Sequence, residues 1–366
     1  MKLAAAEVIP YALPFKEPYV TARGTLTRRE MVLLRIRDED GLEGLGEAVP
    51  LSLRGGVTIE QVVRELRRLQ VGTEIGGEPE AGLDDEIDAG DEGGSAAPIA
   101  PAIGTALSLP ARCALSTALI DLGEKRQDPG AWRAPVRCNA TLVSGEPAAV
   151  AAEAERWAAD GFGTFKLKVG AGDDVAQVKA VREAVGPEAR IRLDANAAWS
   201  LEEASEIIAA VEPLGIELIE QPVETIAEAA ELARRTRIWL AGDESIVTLE
   251  DAEAAIRADS FSVTGVKLSK VGGFEPGRTI AGRMRTYVAS ALDGPVGIAI
   301  SRRLAEWIDS PRFADERLAH GLATQRLFAA TIAADECHLD GDLLYEPPGP
   351  GLGIVIDEDS LQHHRL

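Results

Sequence analysis

No apolar run in the chain is long enough to span a bilayer, which removes membrane-embedded functions from consideration. Cysteine is scarce. Cys113, Cys138 and Cys337 are far apart and odd in number, which excludes a disulfide framework and a thiol zinc site and suits a reducing compartment. The opening Met1-Lys-Leu-Ala-Ala-Ala-Glu carries a charge inside what would be the apolar core of a secretory leader, so the expected location is cytoplasmic. No Gly-x-Gly-x-x-Gly turn follows an early strand, and no dinucleotide site is expected. Positive charge is in deficit: 38 Lys and Arg against 60 Asp and Glu leave a formal net charge of −22. That balance argues against nucleic acid or an anionic membrane surface as a partner. Part of the excess lies in residues 74–92, which hold nine acids and no Lys or Arg. Such a run reads as a solvated surface insertion, or functionally as a lid or partner-binding segment.

What is present is enough for a large barrel and a smaller domain: 366 residues, 46% of them hydrophobic. The first ~70 residues alternate as a small antiparallel sheet would, with Met31–Arg37 running into the turn Asp38-Glu-Asp-Gly and then Leu42–Val49. Helical spacing follows at Val57–Leu69 and again at Leu109–Lys125. From about residue 135 strands and helices alternate. Strands are expected at 136–143, 164–169, 190–195, 215–220, 237–242, 262–268, 286–291 and 318–322, with helices such as Ala148–Ala159, Asp174–Val185, Leu201–Val211 and Thr225–Arg235 between them. Eight strands favour a closed barrel over an open sheet.

Five of these strands end in a charged residue: Lys168, Asp194, Glu220, Asp243 and Lys267, spaced 26, 26, 23 and 24 residues apart. In a parallel barrel such ends converge on one mouth, where active sites are built. A single carboxylate there is often only a helix cap. Three on successive strands form a set of hard oxygen donors suited to Mg²⁺, with Mn²⁺ as a substitute, and no histidine accompanies them to suggest zinc. Lys166 shares a strand face with Lys168, as Asn196 does with Asp194. Two neighbouring ammonium groups are expected to lower the pKa of at least one, which suits a general base. Lys270, three residues beyond Lys267, is expected in a loop, in contact with solvent or substrate. A metal on a substrate carboxylate acidifies the adjacent C–H, and a lysine beside that carbon can remove the proton.

The ordered set Lys166-Leu-Lys168, Asp194-Ala-Asn196, Glu220-Gln-Pro, Asp243-Glu-Ser and Lys267 resembles the muconate lactonising subgroup of the enolase superfamily. The resemblance covers nearly the whole chain. It implies an α/β fold, a (β/α)7β modified TIM barrel with an α+β capping domain. The implied parts are a capping domain over 1–125, the barrel over 126–324, and a C-terminal segment, 325–366, that returns to the capping domain. It further implies Asp194, Glu220 and Asp243 as metal ligands, Lys168 and Lys267 as acid/base lysines, and Lys166, Asn196, Glu244, Lys270 and Ser290 as supporting or substrate-binding groups. The mandelate racemase subgroup uses a histidine on the second face, and His320 lies on the wrong strand for that.

Within the subgroup, the last strand (Leu318-Ala-His-Gly-Leu-Ala-Thr324) lacks the Asp-x-Asp pair with which dipeptide epimerases bind a substrate ammonium. The run Thr21–Glu30 and His320-Gly-Leu-Ala-Thr are similar to o-succinylbenzoate synthases, and Arg23 in the capping loop could pair with a substrate carboxylate. The expectation is thus a Mg²⁺-dependent lyase of menaquinone biosynthesis acting on a small-molecule carboxylate through an enediolate. N-acylamino acid racemase, muconate cycloisomerase and dipeptide epimerase are the alternatives, and a non-catalytic barrel paralogue is the reading from another class. Two segments look shorter than the subgroup's pattern, around Arg283–Tyr287 and at Trp132-Arg-Ala-Pro. A homo-oligomer is left open.

Overall fold

The computed structural model describes residues 2–21, 24–51, 56–69, 107–127, 133–310 and 317–366. Arg23, Trp132 and the acidic run 74–92 lie outside them. Strands β1 (Leu3–Thr21), β2 (Gly24–Asp38) and β3 (Glu43–Ala48) pair antiparallel in that order. The β2–β3 turn forms where Asp-Glu-Asp-Gly predicts it. Asp38 Oδ1 accepts from the amides of Asp40 and Leu42 at 3.0 and 2.9 Å, and Gly41 takes a left-handed φ of 82°.

Both faces of this sheet are covered, which is why Met31–Ile36 reads as nearly continuous apolar sequence. Val32, Leu34 and Ile36 pack with Ala114, Ala118 and Leu122 of the helix Leu109–Gln127. Met31 and Leu33 face the barrel core. The helix approaches β3 so closely that a Cβ on Gly46 would lie 1.9 Å from the carbonyl oxygen of Ala114.

Seven strands follow in consecutive order as one parallel sheet: β5 (Ala140–Leu142), β6 (Thr164–Lys168), β7 (Arg190–Asp194), β8 (Ile216–Glu220), β9 (Trp239–Gly242), β10 (Val263–Val266) and β11 (Thr286–Val288). The sheet is joined edge to edge by two residues. His320 N donates to Arg137 O at 2.7 Å, and Gly321 N donates to Val288 O at 2.8 Å. The expected strand 318–322 is therefore reduced to bridges at His320 and Gly321. The His320 imidazole Nδ1 also accepts from Val288 N at 3.0 Å, and a 3-10 helix begins at Ala323.

The expected first strand is split as well. Its start, β4 (Val136–Arg137), pairs antiparallel with Leu343–Tyr345, and only Ala140–Leu142 joins the barrel.

Helices occupy the outside of the barrel, and local sequence sets their starts. Ser200 with Glu203, Thr225 with Glu228, and Thr248 with Asp251 form reciprocal capping boxes. The chain end meets the first sheet: Leu366 N donates to Pro10 O at 3.0 Å, and Phe328 stacks on Phe15 with ring centroids 4.8 Å apart. Among the described residues no helix is long and apolar enough to cross a membrane.

Candidate active site

Parallel register puts Lys168 beside Asp194 and Asp194 beside Glu220 at the ends of β6, β7 and β8, with Asp243 one residue past β9. All three carboxylates are fully buried. Each is met by lysine. Lys166 Nζ lies 2.8 Å from Asp194 Oδ2 and also pairs with Glu220 Oε2. Lys168 Nζ donates to Asp194 Oδ2 at 2.6 Å and to Asn196 Oδ1 at 2.9 Å. Lys267 pairs with Asp243 Oδ2 and lies 3.9 Å from Glu220 Oε1.

Lys270 corrects the sequence expectation. It sits in a short helix, Leu268–Val271, rather than a loop, and is buried, with Nζ 2.7 Å from Asp243 Oδ1. The second lysine of the following turn is drawn inward because Asp243 offers both a carboxylate and a carbonyl oxygen.

The expected lowering of the lysine pKa values also does not hold. Burial pushes Lys166 down, but Asp194 and Glu220 outweigh it and hold the ammonium well above its ordinary value. Lys168 is likewise raised, by Asp194 against burial and against Lys166. Lys270, by contrast, is lowered: burial and Lys267 together exceed the pull of Asp243. Asp194 is held far below the usual carboxylate range, since Lys166, Lys168 and Lys267 outweigh its burial. Two like charges side by side matter less here than the carboxylates between them.

The chain leaves each strand sharply to aim these groups. Asn196 and Gln221 adopt left-handed φ values of 48° and 40°. The Asn196 amide donates to Asp194 Oδ1 at 3.1 Å and its side chain to Glu244 Oε1 at 3.2 Å. Gln221 Oε1 accepts from Asp243 N and Ser245 N, tying the ends of β8 and β9 together.

Sequence reasoning missed Tyr287, whose phenol donates to Glu220 Oε2 from β11. It missed Gln221 as a cross-link, and Arg29 and Tyr19, which join the cavity from the first sheet. Arg29 was concealed in an Arg-Arg pair that reads as surface charge. Ser290 does line the cavity, its hydroxyl 2.8 Å from Asp293 Oδ2.

Three buried carboxylates on successive strand ends are the right donors for Mg²⁺. Glu220 Oε1 is buried without a hydrogen-bond partner, an acceptor that a cation would satisfy. Lysine nitrogens stand between the carboxylates as they are placed. Among the described residues no three His, Cys, Asp or Glu side chains form a ready-made cage. The cavity above is lined by Arg29, Lys166, Lys168, Lys267 and Lys270, with Asn196, Ser290 and Thr324, and among the described residues by no carboxylate.

Residues 149–360 match the family model described as enolase C-terminal domain-like, and residues 4–132 match that of the mandelate racemase / muconate lactonizing enzyme N-terminal domain. The o-succinylbenzoate synthase of Thermobifida fusca (strain YX) is 35% identical over 212 residues, 56% of this chain and 65% of that one, so the match spans just under two thirds of that relative. The structure of muconate lactonizing enzyme from Pseudomonas fluorescens, complexed with muconolactone, aligns with a TM-score of 0.85 at 26% identity, covering 100% of this chain and 99% of that one. The dipeptide epimerase from Enterococcus faecalis V583, complexed with Mg and the dipeptide L-Leu-L-Tyr, gives 0.80 at 25% identity over 97% of this chain and 100% of that one.

Proposed function

Since the chain belongs to the muconate lactonizing enzyme subgroup of the enolase superfamily, and so is an enzyme of its lyase and isomerase class, we propose that it is a Mg²⁺-dependent dehydratase of the o-succinylbenzoate synthase type, serving menaquinone biosynthesis. The observation that carries this reading is the sign of the cavity wall. Among the described residues five cationic side chains and no carboxylate line it, which suits a dianionic substrate better than one bearing an ammonium. Gly321, at the bridge that stands for the eighth strand, and Thr324, in the 3-10 helix after it, add no acid either. The proposed substrate, 2-succinyl-6-hydroxy-2,4-cyclohexadiene-1-carboxylate, carries two carboxylates.

Asp194, Glu220 and Asp243 are the residues that would hold Mg²⁺, which when bound would supply countercharge for a substrate carboxylate as its α-carbon loses a proton. In this reading Lys168, whose ammonium Asp194 stabilises, first gives up a proton and then, as the free amine, takes the proton from the ring carbon bearing the carboxylate. The electron pair of that C–H bond forms the new ring double bond. The ring C–O bond breaks, and the hydroxyl leaves as water with the proton returned by Lys168. Lys267 remains charged on the other side and stabilises the negative charge that develops. Arg29, which lines the cavity from the first sheet, would attract the succinyl carboxylate in this reading.

N-acylamino acid racemisation is the second reading, because Lys168 and Lys267 both reach the cavity and could exchange a proton on opposite faces. The deciding measurement is formation of 2-succinylbenzoate from its hydroxycyclohexadiene precursor, with Mg²⁺ and with a chelator. Rapid metal-dependent turnover supports the dehydratase. Absence of turnover together with α-proton exchange on N-succinylamino acids overturns it in favour of the racemase.

A further inference from the structure

The helix Pro295–Ile308 starts at the rim of the cavity, and its N-cap is Gly294, which has no side chain to satisfy the first-turn amides. The cap comes from the other end of the chain. Glu47, on β3, accepts from Gly294 N at 2.7 Å through Oε1 and also accepts from the Gly297 amide. Tyr11 of β1 donates to its Oε2 at 2.9 Å. The absence of side chains at the two glycines is what admits this carboxyl. A Cβ on Gly294 would lie 2.7 Å from Glu47 Oε2, and one on Gly297 would lie 2.7 Å from Glu47 Oε1.

A second side chain of the first sheet grips the same segment. Arg29, buried on β2, donates to Ala291 O at 2.9 Å. Between these two anchors the turn is taut. Asp293 Oδ2 accepts from Ser290 Oγ and Ala291 N, both at 2.8 Å. Leu292 takes a left-handed φ of 66°, a conformation that a leucine keeps only where its surroundings over-determine it. Ser290, Ala291 and Leu292 all line the cavity.

We propose that Glu47 and Arg29 are positioning residues that hold the Ser290–Leu292 wall in place from the capping sheet and thereby set how tightly the substrate fits. The inference rests on the cavity being the active site. Burial and the charge of Asp293 push the Glu47 carboxyl up to about 8, so glutamine is its close substitute near neutral pH.

The test compares the full-length wild type with Glu47→Ala and Glu47→Gln by hydrogen–deuterium exchange and steady-state kinetics. Glu47→Ala is expected to speed exchange in peptides over residues 289–298, leave β6–β9 unchanged, and raise KM about tenfold with little change in kcat. Glu47→Gln, which still accepts from the helix amides, is expected to restore both. Wild-type exchange over 289–298 in Glu47→Ala, or equal damage from glutamine and alanine, overturns the proposal. Should Glu47→Ala not fold, Arg29→Gln removes the other anchor and is read in the same peptides. If the wild type turns over no candidate substrate, the proposed reaction fails, whereas the exchange comparison still decides the role of Glu47.

Discussion

The phenol of Tyr287 reaches Glu220 Oε2 through space that Gly265 leaves open on the neighbouring strand. A Cβ on Gly265 would lie 2.9 Å from the Tyr287 oxygen. The Arg192 guanidinium sits 5.1 Å from the centre of the same ring and braces it. Glu220 is thus oriented by a donor at Oε2 while Oε1, with Lys267 at 3.9 Å, accepts no hydrogen bond.

That arrangement predicts a metal phenotype for a residue that is not itself a ligand. Tyr287→Phe is expected to weaken Mg²⁺ binding about tenfold, the usual scale for losing a group that orients a ligand. Thermal melts across a Mg²⁺ titration measure it, because bound metal raises the midpoint by mass action. A titration indistinguishable from wild type would remove Tyr287 from the site. Gly265→Ala, which crowds the phenol, is expected to cost about 1–3 kcal/mol of stability in addition.

Lys168 donates to Asp194 and Asn196 and faces the cavity. As the proposed base, its replacement by Ala is expected to lower kcat about 10²–10⁴-fold. The Mg²⁺-dependent rise in melting temperature is expected to persist, since the three carboxylates are retained. Turnover at wild-type rate would strike Lys168 from the mechanism.

Lys267→Arg separates the two proposed reactions. Arginine keeps the charge beside Asp243 but does not release a proton near neutral pH. Dehydration, which needs only the charge, is expected to suffer less than racemisation, which needs the transfer. Parallel losses in both assays would show that Lys267 has the same task in each.

Much of this site was readable from spacing because barrel geometry repeats. One strand, one helix and two loops consume a nearly constant length, so charges at intervals of 23–26 residues must return to one mouth. The helices expected at Leu201–Val211 and Thr225–Arg235 start where local chemistry puts them, since Ser200 and Thr225 each stand three residues before an acid that completes a capping box. Long-range contacts were not. Nothing near Glu47 in sequence reveals that it caps a helix 247 residues away. The Lys270 position was misjudged because three residues past a strand end read as loop, whereas Leu268–Val271 turns as a helix and carries Lys270 to Asp243. The pKa directions of Lys166 and Lys168 failed because a strand-level reading sees two neighbouring cations and not the carboxylates of the adjacent strands.

Glu47 gives a pH prediction with a definite sign. Burial first, and then the charge of Asp293, raise its pKa from 4.5 to about 8 in the folded protein. Between those values the native state holds a proton that the unfolded chain has released, so stability is greatest below about 4.5 and falls as pH rises through about 8. The limiting slope for one group is about 1.4 kcal/mol per pH unit. Tyr11, Asp293, Arg29, Cys113, Glu336 and Lys267 are the other charged or titratable groups acting within this cluster. Asp293 and Glu336 are themselves raised, so the wild-type curve alone does not isolate Glu47. The comparison with Glu47→Gln does, because glutamine cannot ionise. Denaturant unfolding from about pH 5 to about pH 9 is expected to show the variant gaining on wild type up to about 8 and running parallel above it. Curves parallel throughout would mean that Glu47 is ionised in the folded protein at all these pH values, with the amides of Gly294 and Gly297 and the Tyr11 hydroxyl outweighing its burial.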